Sequence, residues 1–178
     1  MPNNHGYCST SRCACWDVDA YKAVGVAATD MDNGVCVVLG DIKRDANKNI
    51  TGFEYTVTAA QAASTGIWVV RTPEVGVTIE MQLMNDPRYF YNPAGQPMSL
   101  CYMNPKVDMI EVNKEAFVAG SAPSDKPNDT FVTIGAGGKF ATATAAPASG
   151  TYFSIVGNHY VDVGQELMPT YILRCERN

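Results

Sequence analysis

Near the start of the chain, His5, Cys8, Cys13 and Cys15 bring together the residue types that zinc favours. Zinc takes four such ligands in a tetrahedron. The spacing, H-x2-C-x4-C-x-C, is not that of a finger or a ribbon. Ligands two apart, as in Cys13 and Cys15, strain a tetrahedral chelate more than the usual C-x2-C. Free or oxidised thiols are therefore the favoured reading, and these four residues stand as weak metal candidates only. Cys36, Cys101 and Cys175 lie in apolar runs and read as small buried hydrophobes.

Other residues that could do chemistry fare no better. His159 lies in the turn-like Gly157-Asn158-His159-Tyr160, with Asp162 two residues on. A hydrolytic triad also needs a nucleophile, and no nucleophile elbow is present in the sequence. Glu54 and Glu80 are the carboxylates best placed for glycoside chemistry, yet each falls opposite the apolar face of its own segment. Asp30 and Asp32 start like a calcium loop, but the later ligand positions and the closing Glu are missing. Gly135-Ala136-Gly137-Gly138 matches neither phosphate-binding spacing, and no helix follows it. These residues predict no catalysis and no cofactor.

The elements that would have to position such residues are short. Ala20–Ala28, Val35–Leu39, Ile50–Thr58, Ile67–Val70, Met98–Met103 and Val107–Val112 read as strands. So do Thr130–Ile134, Lys139–Ala145, Thr151–Val156, His159–Val163 and Thr170–Cys175. Val75–Leu83 has the cleanest alternation of all. Asn33-Gly34 is a strong tight-turn signal, so Tyr21–Leu39 is expected to be a hairpin. Ala59–Ser64 suggests one or two helical turns. Gly, Pro, Asn or Asp punctuates these runs every 8–12 residues, as in an all-β sandwich or small barrel of short antiparallel strands. Residues 1–18 read as an extended, polar, Cys-rich N-terminal arm and residues 19–178 as a β-rich domain, with a division into two subdomains suggested near 95.

Composition excludes more than it assigns. The 178 residues carry a net charge of −5 with no basic stripe, which argues against direct nucleic-acid binding. No apolar run is long enough for a membrane-crossing helix. The N-terminus lacks the apolar centre of a secretory signal, so synthesis in a reducing cytosol with free thiols is expected. The glycosylation-type triplets at Asn49 and Asn128 are then coincidental. Charged residues make up 17%, against about 25% in ordinary soluble domains. That fits either a surface covered by partners or a polar uncharged one. Tyr89, Phe90 and Tyr91, with Tyr102, form an aromatic group suited to a protein or sugar contact.

Asn92-Pro93-Ala94-Gly95-Gln96-Pro97, with the apolar strand after it and then Val107-Asp108-Met109-Ile110-Glu111-Val112, resembles small β-rich head-associated proteins of tailed bacteriophages, of the decoration or auxiliary type. Tyr21–Val24 and Asp32–Gly40 have the same layout of strand, Asp-Asn-Gly turn and apolar strand. The resemblance covers residues 20–178. It implies a non-catalytic virion protein, made in the host cytoplasm, that cements the capsid exterior. Its partners would be the major capsid protein and copies of itself. On that reading the arm docks on a neighbour through Tyr7 and Trp16, and Tyr89, Phe90 and Tyr91 form a second contact. The alternatives are another virion component, such as a tail, connector or fibre-base protein, and a carbohydrate-binding or hydrolytic β-domain.

Overall fold

The computed structural model describes residues 4–75, 79, 86–124, 131–163 and 166–178. These residues are all-β, and none of them lies in a helix of seven or more residues. Eleven strands form: β1 (Cys8–Arg12), β2 (Lys22–Val26), β3 (Cys36–Arg44), β4 (Ile50–Ala59), β5 (Trp68–Val70), β6 (Pro97–Tyr102), β7 (Met109–Asn113), β8 (Phe131–Ile134), β9 (Phe140–Ala143), β10 (Tyr152–Asp162) and β11 (Leu167–Arg177). Five of them close a barrel in the order β2-β4-β3-β5-β6, and six make a sheet in the order β1-β7-β11-β10-β8-β9. The alternating run Val75–Leu83 lies outside the described residues apart from Val75 and Ile79, both exposed.

The apolar runs of β3 and β5 are continuous because both faces of these strands are buried. On β3, Val37 points into the barrel and Cys36 outward against the sheet. Val70 and Val69 divide in the same way on β5, and Leu100 and Cys101 on β6. The inward set forms one core with Met98, Val57 and Ala27. The outward set joins Ile110, Val112, Val132, Phe140, Phe153 and Leu173 of the sheet in a second core. Phe140 is the hub of this layer, with ring centroids 5.2 Å from Phe153 and 5.8 Å from Phe117. The change from barrel to sheet along the chain comes between Tyr102 and Met109, after the point near 95 where the sequence suggests a division.

The expected Tyr21–Leu39 hairpin does not form. β2 runs parallel to β4 and antiparallel to β6, so among the described residues one pair of strands departs from the antiparallel expectation. The Asp-Asn-Gly loop is not a free tight turn. Asn33 is fully buried. Its amide donates to the Thr72 carbonyl at 2.9 Å and its oxygen accepts from the Thr72 N–H at 3.0 Å. Asp30 accepts from the Ala94 N–H at 2.8 Å. These bonds draw the loop toward residues 72 and 94 and away from hairpin geometry.

The β8–β9 turn meets the barrel wall. A Cβ on Gly138 would lie 2.3 Å from the Cys36 carbonyl oxygen, and its φ is +75°. Only glycine permits this approach. His159–Val163 and Thr151–Val156 merge into the single strand β10. Residues 61–64 form a turn closed by the Ser64 N–H on the Gln61 carbonyl at 2.9 Å.

The sheet carries one buried carboxylate on β11. Glu176 is 8% exposed and accepts from Arg174 at 2.8 Å, and from Lys106 and Ser154. Burial alone would raise its pKa, but these donors outweigh burial and bring it from 4.5 to about 2. The group is therefore ionised in the fold at pH values where the unfolded chain protonates it. Its stabilisation is complete above the unfolded pKa and is lost as pH falls through the folded one. Urea midpoints of the wild type should fall between about pH 4.5 and pH 2, and Glu176→Gln should lack that part of the decline. Parallel profiles for the two proteins would exclude this role.

Candidate functional site

The N-terminal residues read as an arm are built into the fold of this chain. β1 pairs antiparallel with β7, Cys8 opposite Val112 and Ser9 opposite Glu111. Side chains alternate along it, which places Cys8 and Thr10 in the core. His5 holds Asp32 through Nδ1 at 2.7 Å and stacks on Tyr91 at 5.0 Å. The Tyr7 N–H donates to Asn113 at 2.9 Å, and the half-buried Tyr7 hydroxyl has its pKa raised, chiefly by burial. The available polar groups therefore bind within the chain.

The four weak metal candidates have other roles in the fold. Cys15 is joined to Cys101 in a disulfide, which removes both sulfurs as ligands. It also corrects the reading of Cys101 as a lone buried hydrophobe. Cys13 Sγ donates to the Met109 carbonyl at 3.2 Å. Cys8 and Cys175 are each pushed up to about 12, mainly by burial, and Cys13 and Cys36 are raised for the same reason. Thiols so held are poor nucleophiles and poor ligands. Among the described residues, no group of three His, Cys, Asp or Glu side chains is placed to hold a metal.

Of the contact residues expected from sequence, Trp16 is 60% exposed and Phe90 only 4%. Phe90 is an internal packing residue, so its assignment to a partner surface is corrected. Tyr7, Tyr89 and Tyr91 are half-buried. Trp16 stands on the short 3-10 turn Ala14–Trp16, which is fixed by the disulfide and by the Ala14 N–H on Asp108 at 2.7 Å. It borders an apolar groove of about 480 Å³ whose walls include Val24, Leu100 and the Cys15–Cys101 bridge, with Lys22 and Arg71 beside them.

Two further exposed apolar sets have no counterpart in the sequence reading. The β3–β4 hairpin extends past the barrel, and on it Phe53 is 86% and Ile50 49% exposed. Its tip is held by Asp45, which accepts from the Asn47 and Asn49 N–H groups, both at 2.8 Å. Phe53, Tyr55 and Val57 do share a face, as their alternation predicts. That face leaves the barrel along the strand, so only Val57 is buried. On β10 and β11, Val156, Tyr160 and Leu167 are more than half exposed. Periodicity identifies the face of a strand but not where the barrel ends, so the exposure of Phe53 is not legible from the sequence.

His159, considered above with Asp162, has its Nδ1 2.8 Å from Glu111, which also accepts from Thr170 at 2.6 Å. Glu111 is thus shared between an imidazole and a hydroxyl that is itself buried. Glu54 is half-buried on β4, and Glu80 lies outside the described residues. Comparison with protein-family models, with curated proteins and with solved structures finds no match to this chain.

Proposed function

We propose that this chain is a structural protein of a bacteriophage particle, a decoration or cement protein that binds the capsid exterior and stabilises the shell. The observation that carries this reading is the β3–β4 hairpin, which presents Phe53 almost wholly to solvent on β4, next to a turn closed by Asp45. An exposed aromatic on a rigid support suits an interface centre, because little entropy is lost when it docks. Trp16 offers a second such anchor. The resemblance of residues 20–178 to head-associated proteins supports the same reading, as do the low charge and the acidic balance. The partners on this reading are the major capsid protein and further copies of the chain.

The test is reconstitution on purified particles that lack the protein, with occupancy measured by quantitative electrophoresis. Phe53→Asp should lower occupancy at least about tenfold, the scale of one desolvated aromatic hot spot. Its melting curve should not change, since Phe53 supports no core. Trp16→Ala should lower occupancy less. Full occupancy by both variants, or failure of the wild type to bind, would overturn the reading. Labelled protein located on a tail or connector would replace it with the other virion role.

A further inference from the structure

We propose that the groove beside the Cys15–Cys101 disulfide is a binding site for a small apolar carboxylic acid. Its apolar body would lie against Trp16, Val24 and the disulfide, with its carboxylate on Arg71 and Lys22. This site does not rest on the capsid reading, although it shares Trp16 with it, and it is tested on the isolated protein.

Three observations converge on that ligand. The first is size and lining. The groove encloses about 480 Å³, within the roughly 300–1,000 Å³ typical of ligand pockets. Its apolar walls come from elements far apart in sequence. β2 and β6 lie side by side, with Val24 opposite Ser99 and Ala23 opposite Leu100. Cys15, Cys101 and the exposed Trp16 complete the lining.

The second is charge. The chain as a whole is acidic, yet the two formally charged residues that line this groove, Lys22 and Arg71, are both cations. Their existing partners leave donors over. Lys22 meets the almost fully exposed Asp19 at 2.9 Å, a solvent-screened contact of little weight. Arg71 Nη1 donates to the Thr72 carbonyl at 2.8 Å and lies 3.5 Å from Glu74. Glu74 would oppose an incoming anion, but its Oε1 also accepts from Asn33 at 3.2 Å.

The third is donor geometry. The Arg71 side chain is 21% exposed and lines the groove. A guanidinium presents its N–H groups as a fork that matches a carboxylate. A carboxylate against its exposed nitrogens would gain charge assistance, whereas a neutral amide would gain far less.

The test is isothermal titration of the oxidised protein at low salt with 4-phenylbutyrate and with the matching amide, 4-phenylbutyramide. The acid should bind one to one with a Kd below about 1 mM, and the amide at least about tenfold more weakly. Arg71→Gln and Lys22→Gln should each weaken the acid about tenfold and leave the amide unchanged. Trp16→Ala should weaken both compounds. A merely structural role for Arg71 would reduce acid and amide binding alike. If Arg71→Gln fails to fold, the exposed Lys22→Gln decides alone. Equal affinity for acid and amide, or no binding of the acid at millimolar concentration, would overturn the proposal.

Discussion

Reduction of the Cys15–Cys101 disulfide should destabilise the protein by about 4 to 5 kcal/mol, on the chain-entropy view of a cross-link closing a long loop. The two cysteines are 86 residues apart, so the bond removes a large share of the unfolded chain's freedom. It joins the segment after β1 to the barrel strand β6, and it therefore couples the sheet edge to the barrel directly. The guanidinium chloride midpoint should fall by about 1 M, given the denaturant sensitivity of a chain this size. Cys15→Ser/Cys101→Ser should reproduce the effect without reductant. The native oxidised protein should resist alkylation, because Cys8, Cys13, Cys36 and Cys175 are all buried with raised pKa values. Equal midpoints with and without a dithiol would refute the coupling.

The second large effect is expected at Asp108. Its side chain is fully buried and accepts three hydrogen bonds. These come from the Ala14 N–H at 2.7 Å, the Asn104 N–H at 2.7 Å and the Asn104 amide at 2.9 Å. The carboxylate thus holds the 104–108 loop and anchors the turn that carries Cys15 and Trp16. Asp108→Ala leaves two backbone donors without an acceptor in the interior. Bonds to a charged group are worth about 1.5–3 kcal/mol each and do not add fully, so the loss should be about 3 to 5 kcal/mol. Asp108→Asn keeps the shape but turns one acceptor into a donor facing other donors, and should cost about 1 to 3 kcal/mol. Equilibrium denaturation of both variants measures this, and an Ala variant within 1 kcal/mol of wild type would be incompatible with the role.

Individual strands were legible in the sequence because each signal is local. β6, β7 and β11 show the alternation or apolar density that a half-buried strand requires, and the Gly-rich 135–138 segment reads correctly as the turn between β8 and β9. Pairing was not legible. Asn33-Gly34 carries the hairpin signal, yet the partners of β2 lie about 30 and 75 residues away in β4 and β6, and the decisive bonds are those of buried Asn33. The disulfide was hidden for the same reason, since connectivity does not follow from cysteine spacing. Asp108 sat in plain view beside Asn104-Pro105, an Asn-Pro turn four residues upstream, but nothing local marks it as buried. The groove draws on four separated segments, so no window of sequence contains it.

The pairing of β1 with β7 sets an order on assembly during synthesis. Cys8 faces Val112 across that ladder, so β1 has no partner until about a hundred further residues have been made. At about 5–20 residues per second, the wait is on the order of 5 to 20 s. The barrel, whose strands lie between Lys22 and Tyr102, is complete in sequence before that moment. β1 therefore leaves the ribosome before the barrel strands and is seated after they are made, and Cys8 and Thr10 remain in solvent throughout the interval.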